Sequence, residues 1–387
     1  MKSCLDTGRA TRAIDILDDA YQVLKDDAKA EAARSFAAEQ ARGYIEILRT
    51  EAEWTAAVLR AAVNDLKVGR TRTHQTWYAI GTLAAHFGKL DFAVTQYEQA
   101  IRNAPLNGQA DAYTQLIHVL DRSRKSTELE AVCREGLRNP MLFAGYFNSH
   151  LASALADQGK AEEAIATADK AIVQSGGADR LGSRLLKVSV LNKLAKWDEA
   201  IALGKKLLGE FNDEPDRIRI KYSLATSYSG AKMHAESEAE LRAILELDPD
   251  HTGACNDLGY HLAEQGRNLD EAERLVRRAI AIDRMDRRRS GTSDPDHAAY
   301  LDSLAWVLFR REKLAEARDL LVKASALPEG GTDGTVFDHL GDIHFRLGDK
   351  DKARTAWQEA ERLLGSNARG KRDGRLDDVK RKLKRLP

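Results

Sequence analysis

The chain is poor in most features that mark a functional class. Its three cysteines, Cys4, Cys133 and Cys255, lie more than a hundred residues apart, which excludes a disulfide framework and a paired-cysteine metal knuckle. Such usage fits a reducing compartment, most simply the cytoplasm. No apolar run reaches the roughly 18 residues a spanning helix needs. The N-terminus has no apolar core behind Lys2, so a secretory signal is not expected there. Sixty basic and sixty acidic side chains cancel to a formal charge of +0, so no global attraction to nucleic acid or anionic lipid is expected. Seven prolines and 27 glycines in 387 residues, with no valine-rich alternation, leave an all-helical chain as the natural expectation.

Catalytic signatures are missing as well. The sequence holds no GxxxxGK[ST], HExxH, GxSxG or GxGxxG. The ten histidines are scattered, and His339 and His344 stand five apart, too far round a helix to share a face. Asp294, Asp296 and His297 resemble a metal cluster only superficially, since they sit beside Pro295, where turn residues are expected anyway. Neither an enzyme, a cofactor nor a metal is expected.

What the chain does have is a period. Counting from His74, Trp77, Ile80, Gly81, Ala84, Gly88, Ala93, Tyr97, Ala100 and Pro105 occupy positions 4, 7, 8, 11, 15, 20, 24, 27 and 32. The register recurs from 110, 145, 181, 218, 252, 298 and 334, with starts spaced by 36, 35, 36, 37, 34, 46 and 36 residues. These residues match W-x2-L-G-x2-Y, A-x3-F and P, and the chain resembles the tetratricopeptide repeat family. The resemblance implies an all-α, right-handed superhelical solenoid of antiparallel helix pairs, with eight repeats over 74–366. Positions 8 and 20 are small where paired helices cross closely, and positions 4, 7, 11 and 24 fill the space between them. Cys133 and Cys255 fall at positions 24 and 4 and read as buried thiols. Each pair leaves an apolar stripe that only a neighbouring pair can cover.

The ends depart from the register. Residues 1–73 read as divergent helices or partial repeats, with long helices over 29–49 and 51–67. Gly8, Ala13, Leu17 and Ala20 match positions 15, 20, 24 and 27, a second helix without a first. Either the chain is a piece of something longer, or another domain caps that end. Residues 287–297 read as an inserted loop, made locally basic by Arg284, Arg287, Arg288 and Arg289. Residues 367–387 hold nine basic and three acidic side chains, with Leu376, Val379, Leu383 and Leu386 at helical spacing. That segment reads as an amphipathic helix capping the last repeat, or as a basic tail that binds a partner.

In the family resembled, positions 5 and 9 of the first helices line a concave groove. Carried over, the candidate groove residues are Tyr78, His118, Tyr222, Asn256, Tyr260, Asp302, Trp306, Asp338 and Asp342, with Phe309, Arg310 and Arg346 beside them. The row is rich in hydroxyls at first, then aromatic and acidic. Aromatics anchor many interfaces, and the aspartates would favour basic residues in a partner. The Lys-then-Asn pair of the carboxylate clamp that reads Glu-Glu-Val-Asp tails is absent at these positions. The expected function is therefore a non-catalytic scaffold that binds a protein or peptide in the groove. Two alternatives stand beside it: a regulatory or sensor module of a longer protein or complex, and weak nucleic-acid binding through the basic C-terminus. Scaffolds of one fold serve many functions, and no membrane role is expected.

Overall fold

The computed structural model describes residues 10–26, 28–29, 31–175, 180–290, 296–366 and 374–386. Cys4, Gly8, Asp294 and the start of the basic C-terminal segment lie outside them. Among the described residues the chain forms twenty α-helices, two short 3-10 turns and no strand.

Three helices come first: α1 (Ala10–Lys25), α2 (Glu31–Thr50) and α3 (Ala52–Lys67). Eight successive pairs follow: α4 (His74–His86) with α5 (Leu90–Asn103); α6 (Ala110–Arg122) with α7 (Ser126–Gly136); α8 (Ala144–Asp157) with α9 (Ala161–Gln174); α10 (Arg180–Lys193) with α11 (Trp197–Glu210); α12 (Glu214–Gly230) with α13 (His234–Leu247); α14 (Thr252–Glu264) with α15 (Leu269–Arg289); α16 (Ala298–Arg310) with α17 (Leu314–Ala326); and α18 (Gly334–Arg346) with α19 (Lys350–Gly365). A last helix, α20, spans Arg375–Arg385. The chain divides into two compact units, residues 1–125 with 135–142, and residues 126–134 with 143–387.

Close helix crossing is visible at the small positions. A methyl group built on Gly81 would lie 2.8 Å from the Tyr97 ring, and one on Gly341 2.4 Å from the Trp357 ring. At Gly259 it would meet Val276 at 2.5 Å and the Ala272 carbonyl oxygen at 2.9 Å. The turn between paired helices is equally constrained. Position 15 is left-handed in all eight copies: Gly88, Gly159, Gly266 and Gly348 carry φ of 67–86°, and Arg124, Ala195, Lys232 and Glu312 carry φ of 54–61°. That conformation closes a tight turn and is easy only for glycine.

In the first unit, a buried ionic knot ties the N-terminal helices to α4. Arg72, 8% exposed, donates to Asp65 at 3.0 and 2.6 Å and to Asp15 at 2.6 Å. Asp18 accepts from the Thr73 amide at 2.8 Å and the Thr76 hydroxyl at 2.6 Å, which anchors the start of α4 to α1. Trp77, Ile80 and Tyr97 fill the space between α4 and α5.

In the second unit, a core running through α12–α18 buries Leu241, Leu258, Val276, Leu304 and Leu321 among its members. The apolar side of α20, Leu376 and Val379 with Leu383 and Leu386, packs on Ala353, Trp357, Ala360 and Leu364 of α19. That packing closes the apolar face that the last pair would otherwise leave open.

Two boundaries differ from the sequence reading. Helix α12 starts at Glu214, ahead of position 218, because Asp213 caps it and Pro215 stands in its first turn. The stretch expected to loop out from 287 is helical through Arg289. Arg287 pairs with Asp283 at 2.8 Å along α15, and the arginines at its C-terminal end suit the helix dipole. Three of the four arginines of the basic spot are also paired, Arg284 with the buried Asp296 at 2.5 Å, Arg287 with Asp283 and Arg289 with Asp286 at 3.8 Å.

Candidate functional site

Contacts among α14, α16 and α18 gather Tyr260, Trp306 and Phe309 near His339, with Asp302, Asp338 and Asp342 beside them. Tyr78 and His118 belong to the first unit. There Tyr78 leans on the Tyr97 ring at 5.8 Å, and His118 is exposed.

The site is organised by contacts between successive first helices, in which position 6 of one repeat reaches position 5 of the repeat before it. His339 of α18, 1% exposed, bonds through Nδ1 to Asp302 of α16 at 2.8 Å. Asp257 of α14 accepts from the Tyr222 hydroxyl of α12 at 2.9 Å and from Asn256 at 3.0 Å. Burial raises the Asp257 carboxyl above its ordinary range, against those two hydrogen bonds. Burial, then the charge of Asp257, raises the Tyr222 phenol.

Aromatic rings gather around His339. Trp306 stacks on it at 4.2 Å and on Phe309 at 5.0 Å, and Tyr260 lies 6.4 Å away. Arg346 caps the Phe309 face at 5.5 Å while holding Glu312 at 2.7 Å. Arg310 donates to the Glu264 carbonyl at 3.0 Å. Tyr222 sits apart from this cluster, against the His251 ring at 5.1 Å.

The acidic end is occupied by the chain itself. Arg375 of α20 donates to Asp338 at 3.0 Å and to His339 Nε2 at 3.2 Å, and it also hydrogen-bonds Tyr260. A guanidinium can only donate, so Nε2 accepts and the His339 proton sits on Nδ1, facing Asp302. Lys382 bridges Asp338 at 2.7 Å and Asp342 at 2.8 Å. Asp342 also accepts from the Trp357 indole at 3.1 Å. Burial, reinforced by the charge of Asp338, raises the Asp342 carboxyl despite Lys382. Burial works to lower the Lys382 ammonium, but the two aspartates outweigh it and its pKa is raised.

Between α20 and the aromatic cluster lies a cleft of about 460 Å³ whose lining includes Glu264, Trp306, Asp342, Arg375, Asp378 and Lys382. The buried Trp306 Nε1–H has no hydrogen-bond acceptor among the described residues. The exposed Glu264 side chain stands at the rim. The Nε1–H is itself shielded from solvent, so the cleft presents the Glu264 carboxylate beside a stacked aromatic floor. Those groups can hold a peptide amide or a polar side chain, but they supply no nucleophile or metal set. Among the described residues no group of three His, Cys, Asp or Glu side chains is placed to hold a metal ion, and no helix is long and apolar enough to cross a membrane.

Sequence reasoning did not single out His339, Asp257, Glu264, Arg375 or Lys382 for this site. The signals were available: Asp257 and His339 each follow a position-5 residue, and Arg375 and Lys382 are seven apart, on one side of a helix.

Comparison with known proteins finds the same type of repeat in part of the chain. Residues 222–285 and 297–327 match family models described as tetratricopeptide repeat. The TPR repeat-containing protein PA4667 of Pseudomonas aeruginosa is 30% identical over 128 residues, which is 33% of this chain and 19% of that protein. The chain thus spans only a small part of that relative. A tetratricopeptide repeat protein from Parabacteroides merdae overlays with a TM-score of 0.46 at 18% identity, over 78% of this chain and 98% of that one. A chain of the APC/C hetero-tetramer Cut9–Hcn1 overlays with a TM-score of 0.49 at 13% identity, over 91% and 75%. The repeated residues, the helix pairs they form and the matched stretches make this chain similar to tetratricopeptide repeat proteins.

Proposed function

We propose that the second unit binds a peptide segment of a partner protein on the face shared by α14, α16 and α18, with the cleft beside Trp306 as the anchoring point. A general role in protein–protein interaction follows from the repeat architecture; the choice of face is the finer step. The observation that supports it most is the unsatisfied Trp306 N–H at the wall of a cleft rimmed by Glu264. A buried donor without an acceptor is costly, and a turn of the indole toward the cleft lets a backbone carbonyl from a bound strand remove that cost while the adjoining N–H donates to Glu264. The acid excess at the rim favours a basic side chain next to that amide. Neither residue stands at a position that supplies catalysis, and the sequence carries no catalytic motif.

The test is a peptide array probed with the full chain. Bound peptides should be enriched in lysine and arginine, and Glu264→Lys should lose them with melting unchanged, because an exposed substitution of this kind shifts stability by about 0.5 kcal/mol or less. Glu246→Lys, exposed at the end of α13, serves as the control. Identical arrays for Glu264→Lys and the unaltered chain would sink the assignment of this face.

A further inference from the structure

Resting on that reading of the face, we propose that its acidic end is a receptor for a basic amphipathic helix. Residues 375–385 are its resident occupant, and a partner helix with the same pattern competes with them.

Capping alone does not account for what α20 does. Covering the apolar side of α19 requires only Leu376, Val379, Leu383 and Leu386, and those four do it. Arg375 and Lys382 do something different. They reach past α19 to the aspartates of α18, and Arg375 continues to Tyr260 of α14. Seven residues make two helical turns, so both cations project from one side of α20, adjoining its apolar stripe.

The receptor carries a standing demand for cations. Asp338 is 2% exposed, and Asp342 stands one turn further along the same helix. Two carboxylates so placed repel each other, and leaving them without a counter-charge is unfavourable. Whichever helix occupies the face must therefore bring two positive charges. In the chain's own pattern, bases stand at i and i+7 and apolar residues at i+1, i+4, i+8 and i+11, counted from Arg375. The occupant is also a weak one. An eleven-residue helix is marginal in isolation, so its order depends on the docking contacts. The cleft beside it shows that it does not fill the face.

The experiment uses the full chain and a fluorescent peptide with the sequence of residues 374–387, read by anisotropy. The unaltered chain should bind the peptide weakly, because its own helix holds the site. A chain with Arg375→Glu and Lys382→Glu should bind it at least about tenfold more tightly, since the self-occupied fraction is removed. Adding Asp342→Lys to that chain should abolish binding. Amide exchange of α20 is followed in parallel. In the charge-reversed chain it should speed up, and in the unaltered chain it should speed up when unlabelled peptide is added in excess. Release of α20 without any gain in peptide binding would overturn the proposal. So would a charge-reversed chain whose α20 stays protected, because the two bases would then not be what seats it. Should the charge-reversed chain not fold, the exchange response of the unaltered chain to added peptide decides alone. Array binding that depends on Glu264 would survive either negative result, so failure of this inference is separable from failure of the reading beneath it.

Discussion

At the scale of single residues, the repeat is held by what is absent from a side chain. Gly341 leaves room for the Trp357 ring, which in turn donates to Asp342. Gly341→Ala would place a methyl 2.4 Å from that ring. Displacing a buried indole that is also a hydrogen-bond donor should cost about 1–3 kcal/mol, more than the roughly 1 kcal/mol that alanine gains in a helix interior. Gly43, exposed in α2 with nothing within 4 Å of an added methyl, is the opposite case. Gly43→Ala should stabilise the chain by about 0.5–1 kcal/mol. Urea melts of the two variants check both signs, and a gain in each would remove close helix crossing as the reason for glycine at position 8. Glycine at position 15 has a separate origin, since the turn there is left-handed whether or not glycine fills it.

At the scale of elements, α20 is an amphipathic helix whose two sides have different tasks, apolar packing on α19 and charge pairing on α18. The pairing sets a pH window. The Lys382 pKa is raised above its ordinary 10.5, with burial opposing and Asp338 and Asp342 prevailing. A lysine with a raised folded pKa contributes stability that is fully present below the unfolded value and is lost as pH rises through the folded one. Lys382→Met should therefore lower the stability of α20 docking by about 2 kcal/mol at neutral pH. The gap to the unaltered chain should close as pH rises above 10.5, where the ammonium is lost, and should also narrow in acid as the raised Asp342 carboxyl takes up a proton. Amide exchange of residues 379–383 measures it, and a gap that stays open well above pH 10.5 would mean that the Lys382 charge does not carry the link. Helix α15 shows the same physics with another outcome. Its ion pairs along the helix and its basic end carry it on to Arg289, where the repeat register alone leads one to expect a loop.

At the scale of the whole molecule, each unit relies on contacts between elements distant in sequence. In the first, Arg72 joins Asp15 and Asp65, so Arg72→Ala would leave these carboxylates, one of them only 2% exposed, to the half-exposed Arg70 at 3.2 and 3.7 Å. Because Arg70 keeps part of the pairing, the loss should stay at or below about 3 kcal/mol, the low end for a broken buried pair, seen as early melting of α1 and α3 by amide exchange; protection unchanged there would show that Arg70 and the apolar contacts suffice. The sequence alone determined the all-helical class, the repeat period and the register of small residues. Those features are local or recur in every copy, and repetition lets weak signals add. The family resemblance carried Asp302, Trp306, Asp338 and Asp342 over as candidates for a common groove. Only the tertiary structure decided which of them remain available. Asp302 is bound to His339, Asp338 and Asp342 are bound to Arg375 and Lys382, and the Trp306 N–H is left over beside a cleft. The reason is physical: a repeat register places a side chain on a face, but its partners come from the next repeat and from a helix beyond the array. Those pairings depend on distances between elements that no periodic pattern encodes.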